Sequence, residues 1–347
     1  MGGLVVTDFR MVRGFEDVWR PPVRLRAKHP EGRPQVETGS AIRSRLARVA
    51  ARTPEVMVKV TGRTRDPGHL AAHLTYITRN GELAAESRDG WEIVGRRDVI
   101  DMARDWATAQ IADSRSRPNS PFSIALILSM PAGTDAIGLR DAAHQFALAT
   151  FGERHDYVLA LHTDTGHPHV HLTVRALGDD GRRLNPKKAD LEVWRQGFAQ
   201  ALRDHGIGAE ATPRRARGVT RKPERTALRK IRDRAEAGRG EPGRVQRSTY
   251  QEAGRAAFGG DNSPRQWEER TLRRQRQVRA LYEAQAKLLR LSAGVEDRQL
   301  GEAVLRFLAD MPAPDTQRLA LARQLRGANA RQALETSRQR DGPSRSR

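Results

Sequence analysis

Residues 155–162 read HDYVLALH, residues 163–168 read TDTGHP and residues 169–176 read HVHLTVRA; the fold turns on this stretch. Both flanking segments are short and rich in apolar and β-branched residues, and the six residues between them hold the Gly and Pro of a tight connection. They predict two strands joined as an antiparallel hairpin. The hairpin also concentrates chemistry, because four of the ten histidines fall between His162 and His171. His169 and His171 are two apart on a strand, so they leave the same face. His162 ends the preceding strand, and the turn brings it opposite that pair. Three neutral imidazoles aimed at one point form a metal site with positions open to substrate oxygens. Asp164 is either a further ligand or an acceptor that fixes one ring's tautomer. His167 sits in the turn, with its role left open. Imidazole suits several transition metals, so these residues do not name the ion.

Working outward, residues 121–130 (PFSIALILSM) predict a buried strand, and residues 135–151 a helix with Leu139, Ala143, Phe146 and Ala147 on one face. Residues 56–60 (VMVKV) predict a strand. Asp66-Pro67-Gly68 caps a helix over 69–78, which Asn80-Gly81 stops. Further helices are expected over 98–114 and 190–205, the last ended by Gly206. This order predicts an α+β domain, a central antiparallel sheet with flanking helices, over residues 53–215. Residues 1–52 are rich in Arg, Pro and Gly and read as a basic, mostly disordered arm, with room for a short helix at 41–52. Residues 216–347 read as a basic, mainly helical region, with helices near 225–237, 264–292, 296–310 and 314–337 and a disordered end.

The formal net charge is +20, most of it after residue 210, which suits a polyanion such as nucleic acid. There is no cysteine, so disulfides, thiolate metal sites and a Cys nucleophile are excluded. No apolar run is long enough for a transmembrane helix and no secretory signal is legible, so a cytoplasmic protein without membrane insertion is expected. Two basic stretches are candidate phosphate contacts. Residues 178–188 (GDDGRRLNPKK) contain Arg182, Arg183, Lys187 and Lys188, and form either a grip on single-stranded DNA beside the site or a solvated loop. Residues 213–222 (PRRARGVTRK) contain Arg214, Arg215 and Arg217. Aromatic residues make up 5%, too few for extensive base stacking, and Trp91 and Trp194 read as core.

Tyr76 is one of four tyrosines. His69, His73 and Tyr76 share one helical face, and on spacing alone an ordinary core tyrosine is the preferred reading. A tyrosine near a metal site also suits phosphodiester chemistry, since phenolate is both a fair nucleophile and a fair leaving group. Arg79 then either adds a second cation at the phosphate or faces solvent.

Tyr76-Ile77-Thr78-Arg79-Asn80-Gly81-Glu82-Leu83, taken with His162-x-Asp164 and Pro168-His169-x-His171, resembles the relaxase (mobilisation endonuclease) family of HUH endonucleases. The resemblance covers roughly residues 54–215. It implies the HUH fold with its histidines on a central antiparallel sheet, Tyr76 as nucleophile, and His162, His169 and His171 as ligands of a divalent cation, Mg²⁺ or Mn²⁺. Asp164, His167 and His73 would stand behind them or ligate. It further implies nicking of single-stranded DNA at an origin of transfer, a 5′-phosphotyrosyl adduct, a free 3′ hydroxyl and later religation. Flanking duplex, relaxosome accessory proteins and a coupling protein are the implied partners, with export alongside the strand through a secretion channel. The chain departs from the pattern in carrying about fifty residues before the domain. A further polar motif of the family falls to Ser123 or Ser129. Two other classes remain open: a metal-dependent hydrolase using a metal-bound water, and a non-catalytic DNA-binding accessory protein.

Overall fold

The computed structural model describes residues 9–20, 39–114, 116–117, 119–221, 224–260 and 263–340. The chain forms two compact units, one of Met1–Arg10 with Arg20–Pro213 and the other of Met11–Trp19 with Arg214–Arg347.

The first unit contains α1 (Gly39–Ala50), β1 (Met57–Thr64), α2 (Pro67–Ile77), β2 (Ala85–Ser87), β3 (Glu92–Ile93), α3 (Gly95–Ala112), β4 (Ser123–Ser129), α4 (Ala136–Phe151), β5 (Tyr157–His162), β6 (His169–Arg175) and α5 (Lys188–Asp204). The strands form one sheet in the order β1-β4-β6-β5-β2-β3, each neighbouring pair antiparallel. This is the expected α+β arrangement. Because side chains alternate along a strand, the sheet has two different faces. On one, Ile124, Leu126 and Leu128 of β4 and Val170, Leu172 and Val174 of β6 meet Leu139 and Phe146 of α4 and Trp194 and Phe198 of α5 in the larger core. On the other, α2 and α3 pack through Leu70, Leu74, Ile77, Val99 and Trp106 over Val158 and Ala160 of β5.

Local signals start the helices as expected. The Asp66 side chain accepts from the His69 backbone N–H at 2.7 Å, with Pro67 opening α2. The Asp135 side chain caps α4 in the same way, accepting from Ile137 and Gly138.

In the arm over 1–52, the described residues 39–50 form α1, where the sequence left room for a short helix. α1 buries Ile42, Leu46 and Val49, and its Arg48 holds the buried Glu210 carboxylate at 2.8 Å. An amphipathic stripe of only three apolar residues among arginines was too faint to read as docked. The short β2 and β3 were not foreseen, since two or three residues carry no legible period. Trp91 stands in the turn between them at 75% exposure rather than in the core, whereas Trp194 is buried.

In the second unit, α6 (Thr226–Glu236), α7 (Arg244–Phe258), α8 (Gln266–Arg290), α9 (Val295–Ala309) and α10 (Gln317–Arg340) follow a 3-10 turn at Arg214–Arg217. α7 was missed because it buries only Ala253 and Ala256, leaving no apolar stripe to detect. Tyr282 of α8 is fully buried, with the rings of Phe15 and Phe307 edge-on to it and the Trp19 indole N–H donating to its hydroxyl at 3.1 Å. Phe15 belongs to a second 3-10 turn at Phe15–Val18, again inside the supposed arm. Among the described residues no helix is long and apolar enough to cross a membrane.

Candidate active site

Strand register builds the site. His162 of β5 lies directly opposite His169 of β6, and His171 lies opposite Ala160. Opposed residues of an antiparallel pair share a face, and so do residues two apart on one strand. All three imidazoles therefore leave the face that α2 covers. Each offers a nitrogen, and these atoms lie within 4.8 Å of one another. Ring centroids are 4.5 Å apart for His162 and His171 and 5.1 Å for His169 and His171.

Backbone carbonyls set the tautomers. Nε2 of His162 donates to the Ile77 carbonyl at 2.7 Å, since that oxygen can only accept, which leaves Nδ1 with its lone pair. Nδ1 of His169 donates to the His167 carbonyl at 3.1 Å, which leaves Nε2. Burial, then the neighbouring His162, His169 and His73, pushes the His171 imidazole down to about 4. A neutral ring with a fixed free lone pair is the form that ligates a cation, so this donor set fits a divalent metal.

α2 brings Tyr76 over the cluster. Leu70, Leu74 and Ile77 take the helix's buried stripe, so Tyr76 is left 69% exposed and the core-tyrosine reading fails. Its ring stands edge-on to that of His171 with centroids 6.1 Å apart. Three turn residues after the helix, Arg79, Asn80 and Gly81, all carry positive φ. This sharp reversal, rare for residues other than Gly, ends α2 directly beyond Tyr76.

The remaining expected residues divide. Arg79 does not simply face solvent: its guanidinium pairs with Asp164 at 2.5 Å, and the two line one open groove with Tyr76 and His162. Desolvation is the largest single effect on the Asp164 carboxyl and raises it, but its own backbone N–H with Arg79, His162 and His169 together outweigh it and hold the carboxyl below the usual range. Asp164 reaches to 3.9 Å of His162 Nδ1 but stands outside the three-histidine cluster. His73 bonds the Thr173 hydroxyl at 2.9 Å, and burial, then His69, lowers it. His167 enters through its carbonyl, and its side chain stays exposed. Ser129 lies opposite His169 on β4, and its hydroxyl donates to the Pro168 carbonyl at 3.2 Å; Ser123 sits at the other end of the strand.

The loop over 178–188 does not flank the histidines. It leaves β6 after Arg175, at the end away from His169, and seven strand residues span roughly 20 Å. There Arg183 is held by Gln110 at 2.8 Å and Asp113 at 3.2 Å, so its guanidinium braces the loop against α3. Arg182 lies near Asp180, while Lys187 and Lys188 begin α5, which packs on the opposite face of the sheet. Arg214, Arg215 and Arg217 form a 3-10 turn in the second unit, with Arg215 and Arg217 half-buried and all three already engaged. Lys222, at the end of that basic stretch, lies outside the described residues.

Comparison with known proteins gives a match over residues 76–207 to the family described as Relaxase: MobA/VirD2-like, nuclease domain. The matched segment begins at Tyr76, takes in all three histidines and covers under half of the chain. Two relatives are named T-DNA border endonuclease VirD2. That of Rhizobium radiobacter is 28% identical over 190 residues, which is 49% of this chain and 44% of the relative. That of Agrobacterium fabrum is 27% identical over 187 residues, 49% of this chain and 42% of the relative. The chain thus spans less than half the length of the curated relatives it matches. A solved structure from work on the molecular basis of vancomycin resistance transfer in Staphylococcus aureus aligns with 46% of this chain and 99% of its own, at 15% identity and a TM-score of 0.32. A likeness that weak has no bearing on the fold.

Proposed function

We propose that this chain is a DNA relaxase that cuts one strand at an origin of transfer and stays joined to its 5′ end. The observation that carries the reading is the exposed Tyr76 ring edge-on to His171, over three histidines whose donor set fits a cation. His162, His169 and His171 would hold the metal, Mg²⁺ or Mn²⁺ by family resemblance. When bound, it would polarise the phosphodiester and offset charge developing on the nonbridging oxygens. Tyr76 supplies the nucleophile: its phenol oxygen bonds to phosphorus, the 3′ oxygen leaves as a hydroxyl, and the phosphotyrosyl ester stores the bond for religation. Arg79 exchanges Asp164 for the incoming phosphate. Accessory proteins, a coupling protein and flanking duplex would complete the assembly, and the strand would leave the cell with the protein attached.

The test is adduct formation on single-stranded origin DNA with Mg²⁺ or Mn²⁺. Wild type should give a denaturation-resistant protein–DNA complex, and Tyr76→Phe should give none while binding DNA equally. A hydrolase using metal-bound water would cleave without any adduct and would keep cleaving as Tyr76→Phe. A non-catalytic accessory protein would bind without cleavage.

A further inference from the structure

The groove beside Tyr76 has a second half. It continues from Tyr76 along α2 to α3, lined there by Ala71, Ala72, Thr75, Asn80, Arg96 and Ile100, and the whole groove, His162 and Asp164 included, has a volume of about 750 Å³. That size falls in the range of sites for small organic ligands. Its walls are held in register. Gly81 has φ +87°, and a Cβ there would lie 2.3 Å from the Arg96 backbone nitrogen, so no side chain fits between the turn after Tyr76 and the first turn of α3. The Gly95 N–H also donates to the Gly81 carbonyl at 3.0 Å. The backbone of Arg96 is therefore held against the turn that follows Tyr76. Its side chain is exposed and makes no ion pair among the described residues, whereas that of Arg97 lies 3.8 Å from Asp101 on the same helix.

We infer that this half of the groove binds the nucleotide adjoining the scissile phosphate, with Arg96 holding that nucleotide's own phosphate. The inference rests on the relaxase reading and adds a substrate position to it. Ala71, Ala72 and Ile100 offer an apolar wall to a base, and Thr75 and Asn80 offer hydrogen-bonding groups to its edge. A free guanidinium is the side chain best shaped for a phosphate. Nothing in the sequence marked Arg96, because its neighbours in the groove are brought together by the packing of α2 on α3.

The experiment uses the full chain and a fluorescein-labelled oligothymidylate, with chelator present so that no cleavage occurs. Binding is followed by anisotropy across a salt series for wild type, Arg96→Ala and Arg97→Ala. Removing one phosphate contact from single-stranded DNA should lower the slope of log affinity against log salt by about 0.7. That change is expected for Arg96→Ala and not for Arg97→Ala. Ile100→Trp, which fills the groove, should weaken binding without altering the slope. An unchanged slope for Arg96→Ala, or equal changes for both arginines, overturns the proposal. Failure of the relaxase reading looks different: the slope would respond to Arg96 while no Tyr76 adduct ever forms on origin DNA.

Discussion

Along β6 the two faces of the sheet carry different residues. Val170, Leu172 and Val174 are fully buried in the core with α4 and α5, while His169, His171 and Thr173, alternating with them, lie under α2. The packed face holds close-fitting apolar side chains whose contribution is burial. The histidine face is lined by polar and small residues whose neighbours set tautomer and charge. One strand therefore serves stability on one side and chemistry on the other, and a substitution should disturb one without the other.

The largest separation is expected for His169→Ala. Changes to residues that merely support a metal ligand typically cost 10–100-fold in affinity, so loss of a ligand should cost more than about 100-fold, with the fold retained. Calorimetric titration with Mn²⁺ beside a thermal melt checks both halves. Unchanged metal affinity would remove His169 from the site. Phe198→Ala on the packed face should do the reverse. Phe198 is fully buried among Phe146 and its neighbours, and its truncation should cost about 3–5 kcal/mol in denaturant unfolding while metal affinity per folded molecule stays the same.

A pH series sharpens the contrast further. In metal-free protein the His171 imidazole is held at about 4 against an ordinary 6.5. Between those values the unfolded chain takes up a proton that the folded one does not. Stability is then full above about pH 6.5 and is lost as pH falls toward 4, by roughly 3 kcal/mol for this group. His73, also lowered by burial, acts in the same direction. His171→Gln should flatten the profile, and an equally steep profile in that variant would refute the assignment. The smallest effect is expected for Tyr157→Phe. Burial, then Glu86, pushes this phenol up to about 12, and its hydroxyl has no hydrogen-bond partner among the described atoms. At neutral pH the change should be under about 1 kcal/mol, because no hydrogen bond is lost. Wild type keeps this contribution below about pH 10 and loses it as pH rises toward 12, a decline the variant should lack.

The sequence by itself determined β1, β4, β5 and β6, the hairpin and the common face of His169 and His171, because strand alternation and turn chemistry are local properties. It also determined where α2 starts, through Asp66 and Pro67. Only the tertiary structure decided that Tyr76 leaves the core and stands over His171, since helical spacing cannot say which side of α2 meets the sheet. The same holds for α1, whose docking depends on the distant Glu210, and for the loop of Arg182 and Arg183, whose distance from the histidines follows from strand direction. Contacts between residues far apart in the chain have no sequence period, and the pairing of Arg79 with Asp164 and the siting of Arg96 on the groove are of that kind.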